Sequence, residues 1–349
     1  MNRREFVAAS ITVASGPILL GMTRKGDDPN PVIGEGEHKY QCFHNWGELP
    51  GEFEWQTTHN VAIDSAGLVY ITHQGLPKKK GMDTTFVFDA KGKYVRSFGK
   101  EWHGGGHGIE IRKEGKEEFI YFTNTWTPKH KVVKTTLKGE TVWTKGRPDA
   151  KEYENPKTNY NPTNISWLPD GGFTVGDGYG SNYMFNYDKD AKLVKVYGGG
   201  GNTLGKLATP HGHWLDARNK EKPVIVVCDR ANARLQWFDL DGKALAASKP
   251  RELVLFPANA ETRGDILLLP DLHARVSLFD KDNKPIVHLG DDAEWRKKVL
   301  DGFKVRGQPK EWIAGKFVHP HDACFDKDGN IFVVEWVATG RVSLLKKVA

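Results

Sequence analysis

Cysteine is scarce in this chain of 349 residues, which has only Cys42, Cys228 and Cys324. Three cysteines cannot all pair, and the absence of any Cys-x-x-Cys spacing argues against a thiolate metal site. Each cysteine lies in an apolar, strand-like run, such as Val226-Val227-Cys228. The sequence therefore predicts three buried free thiols.

Signatures of nucleotide and nucleic-acid binding are also missing. No Gly-x-x-x-x-Gly-Lys-Ser/Thr motif occurs, and the glycine-rich segments 104–106 and 198–201 precede strands, so we interpret them as flexible loops. The 50 basic and 44 acidic residues give a net charge of +6 and are interleaved along the chain. The one basic run, Lys78–Lys80, is interpreted as a solvated loop. Nucleic acid is not an expected partner.

A long hydrophobic run is missing everywhere except at the N-terminus. Arg3-Arg4 precedes an apolar stretch of 17 residues that ends at Met22, which is shorter than the roughly 20 residues of a membrane span. The pattern resembles a bacterial twin-arginine (Tat) export signal. We expect residues 1–22 to be a signal peptide, 23–39 a linker, and the mature protein to be periplasmic or secreted without a membrane span. No clear cleavage site follows, so retention as an anchor stays open.

Glycine, by contrast, is abundant with 38 residues, and aromatic residues make up 11%, which is typical of turn-rich β-structure. A repeat runs from about residue 40 to the C-terminus and is most complete over 59–99. Each unit has a lead residue, two strands joined by a D-x-x-G-type turn, a third strand ending in aspartate, and a last strand ending in glycine. The lead residue recurs at spacings of 47 to 63 residues, at His59, His107, Thr163, His211, Ala258 and His321.

Six units of four short strands predict an all-β fold, a six-bladed β-propeller over residues 40–349. The sixth unit has no room for a fourth strand after Leu345, whereas segment 40–47 matches the last-strand pattern. We therefore expect this N-terminal strand to complete the sixth blade and close the ring. The insertion 291–316 contains a predicted short helix over 293–300, which could overhang one mouth of the channel.

Four of the six lead residues are histidines, and the lead residue begins the innermost strand, which lines the channel of a propeller. His107, His211 and His321 belong to blades two, four and six, about 120° apart around the axis, so their imidazoles can converge. Three neutral imidazoles with an open fourth position are typical of catalytic zinc. The alternative is that these are rim histidines bound to water or to neighbouring backbone.

Several segments resemble those of the peptidyl-α-hydroxyglycine α-amidating lyases and, more broadly, of NHL-repeat six-bladed propellers. The resemblance covers about residues 55–345. Its most specific motifs are Asp177-Gly178-Tyr179 and the Asp-Arg-x-Asn-x-Arg-x-Gln run over 229–236, and weaker ones surround His107, His211 and His321.

The resemblance implies an exported zinc-dependent lyase in which His107, His211 and His321 bind the metal and Tyr179 is the general base. The zinc would acidify a bound hydroxyl of a small or peptide substrate while a C–N or C–O bond breaks. The resemblance also implies a structural calcium, held by the carboxylate of Asp322 and by the carbonyl oxygens of Val61 and Ile109.

One departure from the family affects the chemistry. Gln74 stands where the family has a catalytic arginine, and glutamine brings no charge to hold a substrate carboxylate or to lower a tyrosine pKa. The additional lead histidine, His59, is expected to fill part of that space and, if protonated, to supply a cation near Tyr179. We therefore expect weak or absent cleavage of hydroxyglycine peptides and a related small substrate.

Two alternatives stay open, since a fold does not determine a function. One is a non-catalytic propeller that binds a peptide, glycan or protein partner on its face, and the other is a metal hydrolase on the same channel. For the Asp229 run, we expect Arg230 and Arg234 to join a polar network between blades. A contact from Arg230 to a substrate carboxylate is the alternative.

Overall fold

The computed structural model describes residues 28–75, 81–125 and 131–348. Its strands form six antiparallel sheets, and the innermost strands of successive sheets contact one another in a closed cycle. The fold is therefore the predicted six-bladed β-propeller. Residues 1–22 and the basic run 78–80 lie outside the described residues, and among those described no helix is both long and apolar enough to cross a membrane.

The strands follow the predicted repeat. Two strands precede the first blade, β1 (Val32–Glu35) and β2 (His38–His44). Blade one contains β3 (Thr58–Ile63), β4 (Val69–His73), β5 (Thr85–Phe88) and β6 (Tyr94–Phe98). Blade two contains β7 (Gly106–Glu114), β8 (Glu117–Asn124), β9 (Val132–Thr136) and β10 (Thr141–Lys145). Blade three contains β11 (Asn164–Trp167), β12 (Phe173–Gly176), β13 (Tyr183–Tyr187) and β14 (Leu193–Gly198).

The second half of the ring repeats this arrangement. Blade four contains β15 (Pro210–Asp216), β16 (Val224–Asp229), β17 (Arg234–Phe238) and β18 (Ala244–Ala247). Blade five contains β19 (Glu261–Arg263), β20 (Ile266–Asp271), β21 (Arg275–Phe279) and β22 (Pro285–Leu289). Blade six contains β23 (Pro320–Phe325), β24 (Ile331–Glu335) and β25 (Arg341–Lys347) together with the two N-terminal strands. Short 3₁₀ turns occur at Lys100–Trp102, Lys151–Tyr153, Arg230–Asn232, Lys304–Gly307 and Pro309–Glu311.

The N-terminal strand closes the ring, as predicted. β2 pairs with β25 in a register that places Cys42 opposite Leu345, and both side chains are buried. The closing strand begins at His38, earlier than expected, and β1 pairs with it. Blade six therefore has five strands, and residues 32–35, expected to be part of a linker, belong to its sheet.

The recurring aspartate after each third strand has a structural cause. Asp89 Oδ1 accepts hydrogen bonds from the backbone N–H groups of Lys91 and Lys93, and Asp188 and Asp280 accept the equivalent pairs in their own turns. The carboxylate thus satisfies the backbone of the hairpin that leads to the outer strand.

The core lies between the blades. One cluster, for example, joins Leu268 and Leu278 of blade five to Val333 and Leu345 of blade six, so each sheet buries its faces only against its neighbours. The three cysteines are buried and free, as the sequence predicts.

The insertion between blades five and six forms the predicted helix, α1 (Ala293–Leu300). Asp292 caps it by accepting the N–H groups of Glu294 and Trp295. Trp295 and Val299 then pack in a cluster with residues of blades five and six. This packing places the segment after α1 at one mouth of the channel.

Candidate functional site

The four lead histidines lie together on the channel axis, because each is the second residue of its innermost strand. The ring centroids of His107 and His321 are 5.0 Å apart. His59 and His211 each lie 4.6–5.1 Å from both of these rings. The cluster therefore consists of a central pair flanked by one histidine on either side.

One ring nitrogen of each histidine is held by the backbone of a neighbouring blade. Nδ1 lies 2.6–2.7 Å from a carbonyl oxygen in all four rings, with the pairs His59–Gly106, His107–Thr163, His211–Ala258 and His321–His59. A neutral ring in this arrangement carries its proton on Nδ1 and leaves the Nε2 lone pair free. Metal-binding histidines are typically oriented by such a bond to the opposite nitrogen.

The burial of these rings keeps them neutral. Burial lowers the pKa of His59 to about 4 and lowers the pKa values of His107, His211 and His321 well below the usual 6.5. The expectation that a protonated His59 supplies a cation is therefore wrong, because that ring is buried among other imidazoles. Neutral imidazole is, however, the form that binds a metal.

Three of the four histidines form the most compact group. The potential ligand nitrogens of His59, His107 and His321 all lie within 4.8 Å of one another. The Nε2 atoms of His107 and His321 are buried and have no hydrogen-bond partner within the described part of the chain. Buried polar atoms are normally satisfied, so this donor set fits a metal ion. The group includes His59, whereas the sequence analysis selected His211.

His211 is engaged by the predicted base. Its Nε2 lies 2.9 Å from the hydroxyl of Tyr179, and the hydroxyl also accepts a 3.3 Å hydrogen bond from Nη1 of Arg230. The sequence motif around Tyr179 explains its position. The Asp177 carboxylate accepts hydrogen bonds at 2.6 Å from the backbone N–H groups of Asn161 and Ser181, which fixes the loop that carries Tyr179.

The glycine of this motif is required by close packing. A Cβ on Gly178 would lie 2.4 Å from the carbonyl oxygen of Pro210, the residue before His211. Any side chain here would push the Tyr179 loop away from the histidine cluster.

The residues of segment 229–236 have two different environments. Asp229 is fully buried and accepts hydrogen bonds from Nε of Arg234 at 2.7 Å and from Nε2 of Gln236 at 2.9 Å. The predicted network is therefore present for Arg234, but these contacts lie within blade four. Arg230 is different. Its guanidinium lies over the rings of Tyr179 and Phe256, 5.1 and 5.2 Å from their centres, and faces the site.

A cavity of about 680 Å³ opens from the histidine cluster. Gln74 and Arg230 line it beside Tyr179, as do residues that the sequence analysis did not select, namely Arg251, Phe256, Phe303, Arg306, His319 and Trp336. These residues lie in loops between strands or in the insertion, where the repeat pattern gives no signal.

A second cavity of about 170 Å³ lies at the region predicted to hold calcium. Its lining includes Val61 and three acidic residues, Glu110, Glu261 and Asp322. The Asp322 carboxylate accepts hydrogen bonds from the Val61 N–H at 2.9 Å and from Asn259 at 2.7 Å. Burial raises its pKa to about 7.

The two glutamates of this cavity were missed by the sequence analysis, although a signal existed. Each stands three residues after the lead residue of its unit, and Glu110 directly follows Ile109. Burial raises the pKa of both carboxyl groups, and the charge of Asp322 contributes. Two further carboxylates therefore border the predicted calcium position.

Together these features define a six-bladed β-propeller with a buried histidine centre open to one large pocket. A streptogramin B lyase structure is similar to it, with a TM-score of 0.57 and 14% identity over 87% of this chain and 98% of that one. A catalytically inactive virginiamycin B lyase from Staphylococcus aureus with quinupristin gives 0.57 and 14%, over 88% and 100%. A proposed gluconolactonase gives 0.53 and 11%, over 84% and 91%. At these identities the likeness shows the fold alone.

No protein-family model and no curated protein sequence matches the chain. The resemblance found in the sequence is thus confirmed for the six-bladed propeller. The solved structures named above include lyases, but none is a peptidyl-α-hydroxyglycine amidating lyase or an NHL-repeat protein.

Proposed function

We propose that the chain is a metal-dependent lyase that acts on a small hydroxylated substrate in the 680 Å³ pocket. The observation that carries this proposal is the pair of buried Nε2 atoms of His107 and His321, which lie beside His59 without hydrogen-bond partners in the described structure. We assign the metal to His59, His107 and His321, and zinc fits these three neutral nitrogen ligands best.

Zinc bound to these three residues would polarise a substrate oxygen and lower the pKa of its hydroxyl group. The Tyr179 ring lies 5.4 Å from the ring of His107, centre to centre, so its hydroxyl is placed to act as the base at this site. Because Nδ1 of His211 donates to the Ala258 carbonyl, its Nε2 accepts a hydrogen bond from the Tyr179 hydroxyl. Tyr179 would therefore take the substrate hydroxyl proton and give a proton to the leaving group, while His211 holds the phenol oxygen in place by this hydrogen bond.

The reaction requires no oxidant or co-reactant. The substrate O–H bond and the adjacent C–N or C–O bond break, a C=O bond forms, and the proton finally passes to the leaving nitrogen or oxygen. Arg230 places a positive charge 3.3 Å from the phenol oxygen, where it would stabilise negative charge that develops in the transition state. This supplies the cation that neither Gln74 nor a neutral His59 provides.

The calcium at the second cavity stays a prediction. Asp322 and the Val61 and Ile109 carbonyls are the expected ligands, and Glu110 and Glu261 border the same cavity. Oxygen ligands of this kind suit Ca²⁺. Export through the twin-arginine segment is likewise proposed, and cell fractionation of the full chain tests it.

Product masses test the proposed reaction directly. The protein, purified without chelator or metal-affinity tag, is incubated with and without added zinc. The panels contain N-(1-hydroxyalkyl) amides, whose hydroxyl group and amide nitrogen share one carbon, and lactones, which are substrates for a hydrolase. A lyase gives products whose masses sum to that of the substrate, whereas a hydrolase adds the mass of one water. Zinc-dependent products of the first kind support the proposal. Hydrolysis products would favour the metal hydrolase, and zinc-free protein without turnover would favour the non-catalytic propeller.

A further inference from the structure

The large pocket has an unbalanced charge. Arg230, Arg251 and Arg306 line it, and none of the described residues in its lining is an aspartate or glutamate. Arg230 is only 9% exposed. Buried cations are costly unless an anion accompanies them, and a metal ion would add further positive charge. The pocket is therefore suited to an anionic ligand.

Arg306 is held in a fixed orientation by the protein. Its Nε donates to the carbonyl of Trp336 at 2.9 Å and its Nη2 to the hydroxyl of Thr57 at 3.0 Å. The guanidinium carbon lies 3.4 Å from the centre of the Trp336 ring. Such preorganisation lowers the entropic cost of binding a carboxylate.

Arg306 also lies close to Gln74, the residue that replaces the catalytic arginine of the resembled family. The carbonyl of Thr57, whose side chain binds Arg306, accepts the backbone N–H of Gln74 at 3.0 Å. A guanidinium from the insertion between blades five and six thus stands beside Gln74 of blade one. Arg306 and the buried Arg230 both line the pocket that opens from the histidine cluster.

Aromatic side chains form another part of the pocket wall. Phe256 stacks against Arg230, and Trp336 lies beneath Arg306. Phe303, from the same insertion, lines the pocket and is 50% exposed. Exposed aromatic side chains at a pocket mouth favour contact with an apolar part of a ligand.

We propose that Arg306 is a specificity-determining residue that selects substrates with a carboxylate and an apolar or aromatic body. This inference rests on the proposed function, because it concerns the substrate of the same pocket. The carboxylate would be bound by the guanidinium of Arg306, and the apolar body would pack against Phe256 and Phe303.

Binding without turnover tests this selection. Isothermal titration calorimetry on the full chain compares 3-phenylpropionate with its neutral isostere, 3-phenylpropionamide. We expect the carboxylate to bind at least about 10-fold more tightly, as for a hydrogen bond to a charged group. Arg306→Gln should remove this preference and leave the affinity for the amide unchanged. The matched control is Arg263→Gln, since Arg263 lies outside the pocket and bonds to Lys327, and its preference should equal that of the unaltered protein.

A second, more conservative variant keeps the test decisive if Arg306→Gln does not fold. Arg306→Lys keeps the charge and loses the planar fork, so its carboxylate preference should fall by about 3-fold or more. An unchanged preference in Arg306→Gln, or in Arg306→Lys where the first variant does not fold, would overturn the inference. Zinc content and product masses are measured in parallel. If lyase products form but Arg306→Gln keeps the carboxylate preference, only the role of Arg306 is contradicted. If the preference depends on Arg306 but the protein is zinc-free and inactive, only the proposed lyase is contradicted.

Discussion

The hydroxyl of Tyr179 lies 2.9 Å from Nε2 of His211. Nδ1 of the same ring is bound to the Ala258 carbonyl, so Nε2 accepts a hydrogen bond from the tyrosine hydroxyl. This relationship separates His211, which bonds to the tyrosine, from the other three lead histidines, whose potential ligand nitrogens lie within 4.8 Å of one another. It also distinguishes the ligand set proposed above from the one implied by the sequence.

The two ligand sets predict opposite effects of two alanine variants. His59→Ala should weaken zinc binding by more than the roughly 10–100-fold that follows loss of an outer-shell partner, because it removes a direct ligand. His211→Ala should weaken it less. Zinc affinity measured by competition with a chromophoric chelator checks both. A larger loss in His211→Ala would instead support His107, His211 and His321 as the ligands.

Tyr179→Phe should abolish turnover and leave zinc binding intact. The phenol is not one of the three proposed ligands, whereas loss of a general base typically costs about 10²–10⁴-fold in rate. Single-turnover assays together with zinc analysis of the same sample provide the measurement. Full activity in this variant would remove the tyrosine from the mechanism.

The buried pair Arg234–Asp229 should be important for stability. Arg234→Met leaves the fully buried Asp229 carboxylate without its guanidinium partner, and breaking such a pair costs about 3–5 kcal/mol. Urea unfolding monitored by tryptophan fluorescence gives the free energy of unfolding. The exposed pair Lys189–Asp190 supplies the control, and Lys189→Met should change stability by less than about 1 kcal/mol.

His44 should make ring closure sensitive to acid. It lies on the closing strand β2, where its Nε2 accepts the N–H of Gly315 at 3.1 Å, and burial lowers its pKa to about 4. Between pH 6.5 and about 4 the unfolded chain binds this proton and the folded chain does not, so the folded protein loses stability as the pH falls through that range.

His44→Gln keeps an acceptor for Gly315 and removes the titrating group. Its free energy of unfolding should therefore decline less steeply on acidification, by up to about 1.4 kcal/mol per pH unit. The other buried histidines are common to both proteins. Parallel stability curves for the two proteins across this range would contradict the prediction.

Calcium should stabilise the protein through Asp322. A ligand at about 100 times its dissociation constant adds about 2.7 kcal/mol to the free energy of unfolding. The melting temperature of the unaltered protein should be higher with calcium than with a calcium chelator. For Asp322→Asn the two melting temperatures should be the same. Equal shifts in both proteins would place the ion elsewhere.

The sequence predicts the architecture well because each blade is a local unit. The aspartate turns after strands such as β5, the helix 293–300 and the closure of β2 against β25 all follow from short-range patterns. The unexpected strand β1 has no such signal, since Val32–Glu35 lacks the repeat motif and is ordered by pairing with β2.

The site was less predictable, because its geometry depends on contacts between distant segments. The lead positions predict that the four histidines share the channel, but the choice between His59 and His211 as the third proposed ligand depends on where Tyr179 lies. The position of Arg306 depends on how the insertion packs against Trp336 and Thr57, which are distant from it in sequence. Neither relationship can be derived from spacing.

Anomalous diffraction at the zinc absorption edge tests the central claim most directly. Crystals of the full chain, purified without chelator or metal-affinity tag and supplied with zinc, should contain one strong peak in the channel. The account predicts this peak at about 2.0–2.1 Å from nitrogen atoms of His59, His107 and His321. A channel without a peak, with all four histidine rings ordered, would contradict it.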